Sequence, residues 1–385
     1  MRFQKHLLAV ATVLYAAQAH SVLPALGQSQ ELQAQAPLSS TPSTIPGSLE
    51  ISEPSPVRDK HAVPTHPPSF QQDGEDFKSL HLPVYEWKPA DAEPIGATMA
   101  IHGLTLHGQS YKLLGKAFAS FGGYFVAMDM RGFGRCHREY SPAHEFCVGS
   151  DCKWKINYEK SFEDIVAVAR VIKKKYPTMP LTVMGESLGA TLAVRLAGEH
   201  PELVDRLVVS APAVKLSPWM FYSRSSIKSG AYAVLVSPRF RMNLSGFINN
   251  LVSNNPNIGK ELMEDPLVLK EMSLADLLRT ESCVERTIKY ARKIQGNLPI
   301  LIVQGSKDRC VVPADVVKLT SNTRSSDQTL RWLDNTGHLL LETTYLRAAT
   351  ISSINDWFEV HQPDHIQETK ELEKQIIEMG GHVKE

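Results

Sequence analysis

Leu181-Thr182-Val183-Met184-Gly185-Glu186-Ser187-Leu188-Gly189, continuing into Ala190-Thr191-Leu192-Ala193-Val194-Arg195-Leu196-Ala197, joins an apolar run to a Gly-x-Ser-x-Gly segment and then to a helical sequence. A buried strand that reverses into a helix within one residue puts Ser187 at the tip of a strained turn. Side chains two residues to either side would strike neighbouring backbone there, and Gly185 and Gly189 remove them. The helix that follows is apolar and Ala-rich, and its N-terminus leaves free N–H groups and a positive dipole end near the serine oxygen. A bare Gly-x-Ser-x-Gly also arises by chance. Here the strand before it and the helix after it make the stretch read as a nucleophile elbow.

Working outward, strands alternate with helices. Ala97-Thr98-Met99-Ala100-Ile101 is a short apolar strand that runs straight into His102-Gly103-Leu104. His102 reads as a turn residue that holds this loop in shape rather than as a base. Leu80 to Trp87 is expected to be the first strand of a fold beginning near Phe77, and Tyr124 to Met128 another. Helices are expected over Ser110 to Phe121, closed by Gly122-Gly123, and over Ser161 to Tyr176, stopped by Pro177. Arg206 to Ser210, Pro299 to Val303 and Gln328 to Leu333 complete the strands, and a closing helix runs roughly from Thr344 to Val360. This order calls for a mostly parallel sheet covered by helices on both faces. Between about 213 and 297 the alternation stops. Amphipathic pieces broken by Ser229-Gly230, Ser237-Pro238, Asn254-Asn255-Pro256 and Asp265-Pro266 read as a helical insertion over the sheet, a cap.

A serine hydroxyl is a poor nucleophile unless an imidazole takes its proton, and the imidazole needs a carboxylate to fix its tautomer and stabilise its charge. In an open parallel sheet reactive residues gather in loops at the carboxyl ends of strands. Asp308, in Gln304-Gly305-Ser306-Lys307-Asp308, and His338, in Asp334-Asn335-Thr336-Gly337-His338, both end such strands, giving the order Ser187, Asp308, His338 that accompanies a nucleophile elbow. Asp334 is the reserve acid and His361 a weak reserve base; Glu186 reads as a structural or charged neighbour of the serine. The backbone N–H groups of Leu104 and Leu188 are the expected donors to an oxyanion. No metal site is legible, since Cys147 and Cys152 lack a second ligand pair at zinc spacing, and serine chemistry requires no cofactor.

These stretches, together with Leu106-His107-Gly108-Gln109-Ser110-Tyr111 and Asp129-Met130-Arg131-Gly132-Phe133-Gly134, resemble the α/β-hydrolase superfamily. Within it they resemble the monoacylglycerol lipase and lysophospholipase-like group, also described as serine aminopeptidase S33-like. The resemblance spans about Leu80 to Val360. It implies an α/β-hydrolase fold with an eight-stranded, mostly parallel sheet, a helical cap and ester hydrolysis through an acyl-enzyme. It also implies Ser187 as nucleophile, Asp308 as acid, His338 as base, and Leu104 and Leu188 at the oxyanion positions. Three departures stand out: Cys136 replaces the serine common after the Arg-Gly-x-Gly-x turn, Arg138 to Lys155 is longer than usual, and the N-terminal signal and spacer are atypical.

The substrate expected from this reading is a small-molecule acyl ester, with an encounter with lipid or a membrane surface open; Trp219, Met220, Phe221, Tyr222, Val234 and Phe240 give the cap its apolar content. An aminopeptidase of the same fold would need an acid to hold a free amine, for which Glu261 and Glu264 are candidates. A noncatalytic binding protein is the third alternative, and the intact Ser187, Asp308 and His338 argue against it. The 41 Lys and Arg residues balance 41 Asp and Glu, so nothing points to nucleic acid. The sequence leaves oligomeric state open.

Arg2, Lys5 and the apolar run Leu7 to Ala17, with Ala17-Gln18-Ala19 as the first-choice cleavage site and a second near Gly27, read as an export signal over residues 1–27. An uncleaved anchor is the alternative, although the run is shorter than the ~20 residues a membrane span needs. Residues 28–76, rich in Pro, Ser, Thr and Gln, are expected to be a spacer, and Ile366 to Met379 an extra charged helix. Export would permit a disulfide between Cys147 and Cys152, with Gly149 between them; a bridge from Cys136 or three free thiols are the alternatives.

Overall fold

The computed structural model describes residues 66–137, 145–215 and 241–361. The expected export signal, most of the expected spacer, the charged C-terminal helix and all six apolar cap residues named above lie outside them. The strands are β1 Pro68–Gln72, β2 Val84–Pro89, β3 Gly96–Ile101, β4 Gly123–Met128, β5 Cys147–Val148, β6 Asp151–Cys152, β7 Leu181–Glu186, β8 Arg206–Ser210, β9 Arg241–Asn243, β10 Glu271–Ser273, β11 Ile300–Gly305 and β12 Gln328–Leu333. The α-helices are α1 Lys112–Ser120, α2 Tyr158–Lys175, α3 Leu188–Glu199, α4 Ser245–Asn250, α5 Pro256–Glu264, α6 Leu274–Val284, α7 Thr287–Ala291, α8 Pro313–Thr320 and α9 Ala348–Val360.

Eight strands form one sheet in the order β1-β2-β4-β3-β7-β8-β11-β12. The first two pairings, β1 with β2 and β2 with β4, are antiparallel. Every later pairing is parallel. This is the expected α/β-hydrolase architecture. Its central strands are buried along nearly their whole length and mostly apolar because both faces are covered. Met99, Ile101, Val183, Leu207 and Ile302 pack on the side of α2 and α3. Ala100, Phe125, Met184, Val208 and Leu301 pack with Leu114 of α1 and Trp357 of α9.

The fold starts earlier than expected. Residues 75–80 form a 3-10 turn rather than the start of a strand, and the sheet is entered at Pro68, inside the expected spacer, where β1 pairs with β2 from Tyr85 to Pro89. The insertion is also divided. Residues 244–269 lie over the serine, whereas α6 and α7 belong to the layer that covers the sheet. Thr280 Oγ1 is 2.7 Å from Tyr158 Oη on α2, and Thr287 Oγ1 is 2.8 Å from Thr191 Oγ1 on α3. Two three-residue strands, β9 and β10, pair within the insertion, where only helices were expected. Cys147 and Cys152 face each other across the β5–β6 pair and are bridged, while Cys136, Cys283 and Cys310 are free and buried.

Candidate active site

β7 ends at Glu186 and α3 begins at Leu188, so Ser187 alone makes the turn, with φ 55° and ψ −114°. A side chain with a β-carbon is strained at this positive φ. Tertiary contacts hold it: Ser187 N–H donates to Ser210 O at 2.9 Å, and Ala213 N–H donates to Ser187 O at 3.2 Å. The glycines answer to close packing rather than to unusual dihedrals. A Cβ on Gly185 would lie 2.7 Å from Ala190 N, and one on Gly189 would lie 2.7 Å from His102 O while overlapping Ile101 O outright. The helix must therefore start directly against the end of β3.

The structure brings Ser187, His338 and Asp308 together. His338 Nε2 lies 2.8 Å from Ser187 Oγ, and its Nδ1 lies 2.7 Å from Asp308 Oδ2. Asp308 accepts three further hydrogen bonds, from Cys310 N–H at 2.8 Å, Val311 N–H at 3.0 Å and Gln304 Nε2–H at 3.0 Å. Burial works against its charge, but His338 and these donors outweigh burial and lower its pKa. An ionised Asp308 fixes His338 with the proton on Nδ1, which leaves Nε2 free to accept from the serine hydroxyl. Burial likewise opposes charge on His338, yet Asp308 and, more weakly, Glu186 raise its pKa above the ordinary 6.5. Such a chain can move a proton from a hydroxyl to an imidazole and hold the resulting cation.

Asp334 and His361 are elsewhere. Asp334 is exposed and accepts from Ser306 Oγ at 3.2 Å, and His361 pairs with Asp327 at the opposite end of β12.

Leu188 N–H lies at the first position of α3, where the helix ladder supplies no acceptor. No acceptor among the described residues takes Leu104 N–H. His102 holds the loop between β3 and Leu104: its Nδ1–H donates to Gly103 O at 2.8 Å and its Nε2 accepts Met130 N–H at 3.0 Å. Burial depresses its pKa to about 3, so the ring stays neutral and keeps this tautomer. Asp129 ties the same loop to the following turn by accepting Gly108 N–H at 2.7 Å and Arg135 N–H at 2.7 Å.

Glu186 is more than a neighbour of the serine. It accepts from Ser210 Oγ at 2.6 Å and from the N–H groups of Leu340, Leu341 and Glu342 at 2.9 to 3.2 Å, pinning the loop that follows His338. Gln304, which supports Asp308, and Glu342, whose carboxyl reaches Gly103, had no reading in the sequence. The one signal was a charged residue closing the apolar run Leu339-Leu340-Leu341.

The cavity over Ser187 is lined by Leu104, Leu106, Phe247, Val252, Leu262 and Leu339, beside the triad. The insertion is tied down around it through His107 Nε2 to Asp265 Oδ2 at 3.0 Å, Leu269 N–H to Thr105 O at 2.8 Å and Leu339 N–H to Val252 O at 2.8 Å. The one grouping of potential metal ligands among the described residues is Asp308, Cys310 and His338, with donor atoms within 4.8 Å of one another. Asp308 and His338 are already bonded to each other there, and burial pushes the Cys310 thiol well up, keeping it protonated.

This sheet order, with a serine on a strand-to-helix turn and an acid and a histidine on later strand ends, defines an α/β hydrolase. Residues 92–344 match the family described as serine aminopeptidase, S33, and the chain belongs to that family. It is similar to mouse monoglyceride lipase, 26% identical over 276 residues that cover 70% of this chain and 84% of that one. Among solved structures it resembles the monoacylglycerol lipase of Paleococcus ferrophilus, with TM-score 0.57, 22% identity and coverage of 73% of this chain and 99% of that one. A soluble variant of monoglyceride lipase from Saccharomyces cerevisiae bound to a substrate analog has TM-score 0.56, 18% identity and coverage of 79% and 96%. At these identities the structural likeness speaks for the fold.

Proposed function

We propose that the protein is a serine hydrolase that cleaves carboxylic esters of acyl chains, of the monoacylglycerol type, through an acyl-enzyme. The observation that carries this is the hydrogen-bonded chain Ser187–His338–Asp308, at 2.8 and 2.7 Å, opening onto a cavity with six apolar side chains. In this reading Ser187 Oγ attacks the ester carbon as its proton passes to His338 Nε2. The carbonyl oxygen takes up negative charge against the N–H groups of Leu104 and Leu188. The C–O bond to the alcohol then breaks, and His338 returns the proton to the leaving oxygen. Water, deprotonated by His338, hydrolyses the acyl-Ser187 ester and releases the acid.

The sibling reading, an aminopeptidase, needs an acid free to hold an amine. Glu261 instead accepts from Thr343 Oγ1 and Thr344 N–H, both at 3.2 Å, and Glu264 is exposed beside Lys260 at 3.8 Å. Glu342, the acid that lines the cavity, is bonded to Gly103 N–H. The esterase reading is therefore favoured. The cavity holds only about 20 Å³, against the 300 Å³ or more typical of a ligand pocket, so it must widen to admit an acyl chain.

The test is a panel of p-nitrophenyl esters from acetyl to dodecanoyl, with monoacylglycerols, lysophospholipids and aminoacyl amides. The expected result is ester turnover whose kcat/KM changes with chain length by about tenfold or more, since each buried methylene contributes about 0.8 kcal/mol. A flat profile, or faster turnover of the amides, contradicts the reading.

The acidic limb of kcat/KM follows from His338. The ring must be neutral to accept the serine proton, and its pKa is raised, so activity is lost as pH falls through a midpoint above 6.5. Asp308→Asn removes the charge that raises it and is expected to move the limb to lower pH, with kcat reduced about 10⁴-fold. A wild-type midpoint at or below the ordinary imidazole value would speak against His338 as the base.

A further inference from the structure

Glu342 closes the run Leu339-Leu340-Leu341-Glu342 and is 1% exposed. A carboxyl group taken so far out of water requires a partner. Its partner lies 239 residues away in sequence: Gly103 N–H donates to Glu342 Oε1 at 2.9 Å and to Oε2 at 3.0 Å. A Cβ built on Gly103 would lie 2.9 Å from Glu342 Oε2 and 3.5 Å from the Ser187 Cβ, so the carboxyl, the glycine and the serine pack directly on one another. At its other end Glu342 is fixed through its own N–H, which donates to Glu186 Oε2 at 3.1 Å. One residue thus joins the serine turn, the histidine loop and the loop after β3.

The middle of that loop is glycine, which restricts its own dihedrals least of all residues. Glu342 fixes the N–H of Gly103, and His102 Nδ1–H fixes its carbonyl at 2.8 Å. In a trans peptide the C=O and the following N–H point in opposite directions, so holding both polar groups of Gly103 fixes where Leu104 N–H aims. A donor aimed before the reaction begins stabilises developing charge without reorganising during it. Burial and the charge of Glu186 push the pKa of Glu342 well above the ordinary carboxyl range.

We propose that Glu342 is a positioning residue of the oxyanion hole: by accepting Gly103 N–H it directs Leu104 N–H at the reacting carbonyl oxygen. This rests on the ester-hydrolase reading above. The experiment is steady-state kinetics on one p-nitrophenyl ester, with inhibition by an alkylboronic acid that forms a tetrahedral serine adduct, for wild type, Glu342→Leu and Glu342→Gln. Glu342→Leu keeps the bulk and removes the acceptor. It is expected to lower kcat about 10- to 100-fold with KM within about twofold, and to weaken the boronate by a similar factor, because the support acts only on the transition state. Glu342→Gln supplies a carbonyl acceptor at the same side-chain length and is expected to bring kcat back to within about threefold of wild type.

A Leu variant at wild-type kcat, a loss confined to KM, or a Gln variant as slow as Leu overturns the proposal. If Glu342→Leu fails to fold by circular dichroism, Glu342→Asp, which draws the acid back by one methylene, must show the same fall in kcat at unchanged KM. An Asp variant at wild-type kcat overturns the proposal equally. Wild-type protein that hydrolyses no ester removes the underlying reading, whereas active wild type with an unaffected Leu variant removes only the role of Glu342.

Discussion

Ser187→Ala is expected to lower kcat for ester hydrolysis about 10⁶-fold, and adding His338→Ala to it is expected to change little more. The reason is the geometry of a single proton path. Ser187 Oγ has His338 Nε2 at 2.8 Å as its base, and that ring has Asp308 at 2.7 Å to hold its tautomer. Without the imidazole the hydroxyl keeps its proton; without the hydroxyl the imidazole has no nucleophile to activate. Either loss leaves only what the oxyanion donors and substrate binding supply, about 10³- to 10⁴-fold over water. The measurement is turnover by Ser187→Ala, His338→Ala and the double variant, with labelling by a fluorophosphonate. The probe is expected to modify wild type at Ser187 and to leave Ser187→Ala unmodified. A double variant that falls another hundredfold below either single one, or a label on a different serine, would show that the two side chains do not act as one unit.

That Ser187, Asp308 and His338 meet was legible in the sequence because all three lie at strand ends, and the strands were legible because the central ones are mostly apolar on both faces. Ser187 could be placed from two glycines and the run before them, and Asp308 and His338 from the strands they end. Other parts depend on partners that no local pattern reports. β1 escaped notice because an edge strand carries little apolar signal: in Pro68–Gln72 only Phe70 makes a large apolar contact, with Trp87 at 5.2 Å between ring centres, and it remains 49% exposed. The insertion read as one cap because amphipathic helices look alike whether they cover a site or a sheet. Thr280 and Thr287, whose hydroxyls meet Tyr158 and Thr191, divide its two roles only once the fold is assembled. Glu342 has the same origin, since its partner Gly103 is brought to it by the pairing of β3 with β7 and by the anchoring of its own loop on Glu186.

Gly189→Ala is expected to be the most damaging added methyl among the glycines of the described residues. A Cβ there would overlap the carbonyl oxygen of Ile101 and lie 2.7 Å from that of His102, both main-chain atoms that no side-chain rotation can clear. Relief requires α3 to move away from the end of β3. That separates Leu188 N–H from Leu104 N–H, because the first begins the helix and the second follows the strand. Overpacking of a rigid contact typically costs 1–3 kcal/mol, and backbone on both sides puts this case at about 3 kcal/mol or more. For a domain of this size that corresponds to a fall in Tm of roughly 5 °C or more. Activity is expected to fall further than the folded fraction does at 25 °C, because the displaced atoms are those that flank the reacting carbonyl. Gly96→Ala supplies the comparison: it changes the same residue type at the start of β3, where nothing lies within 4 Å of the new methyl, and is expected to leave Tm within about 1 °C. Thermal unfolding and ester turnover of the two variants, side by side, decide the matter. Equal Tm values would mean that the tight approach of α3 to β3 is not what the second glycine of the turn is there to permit.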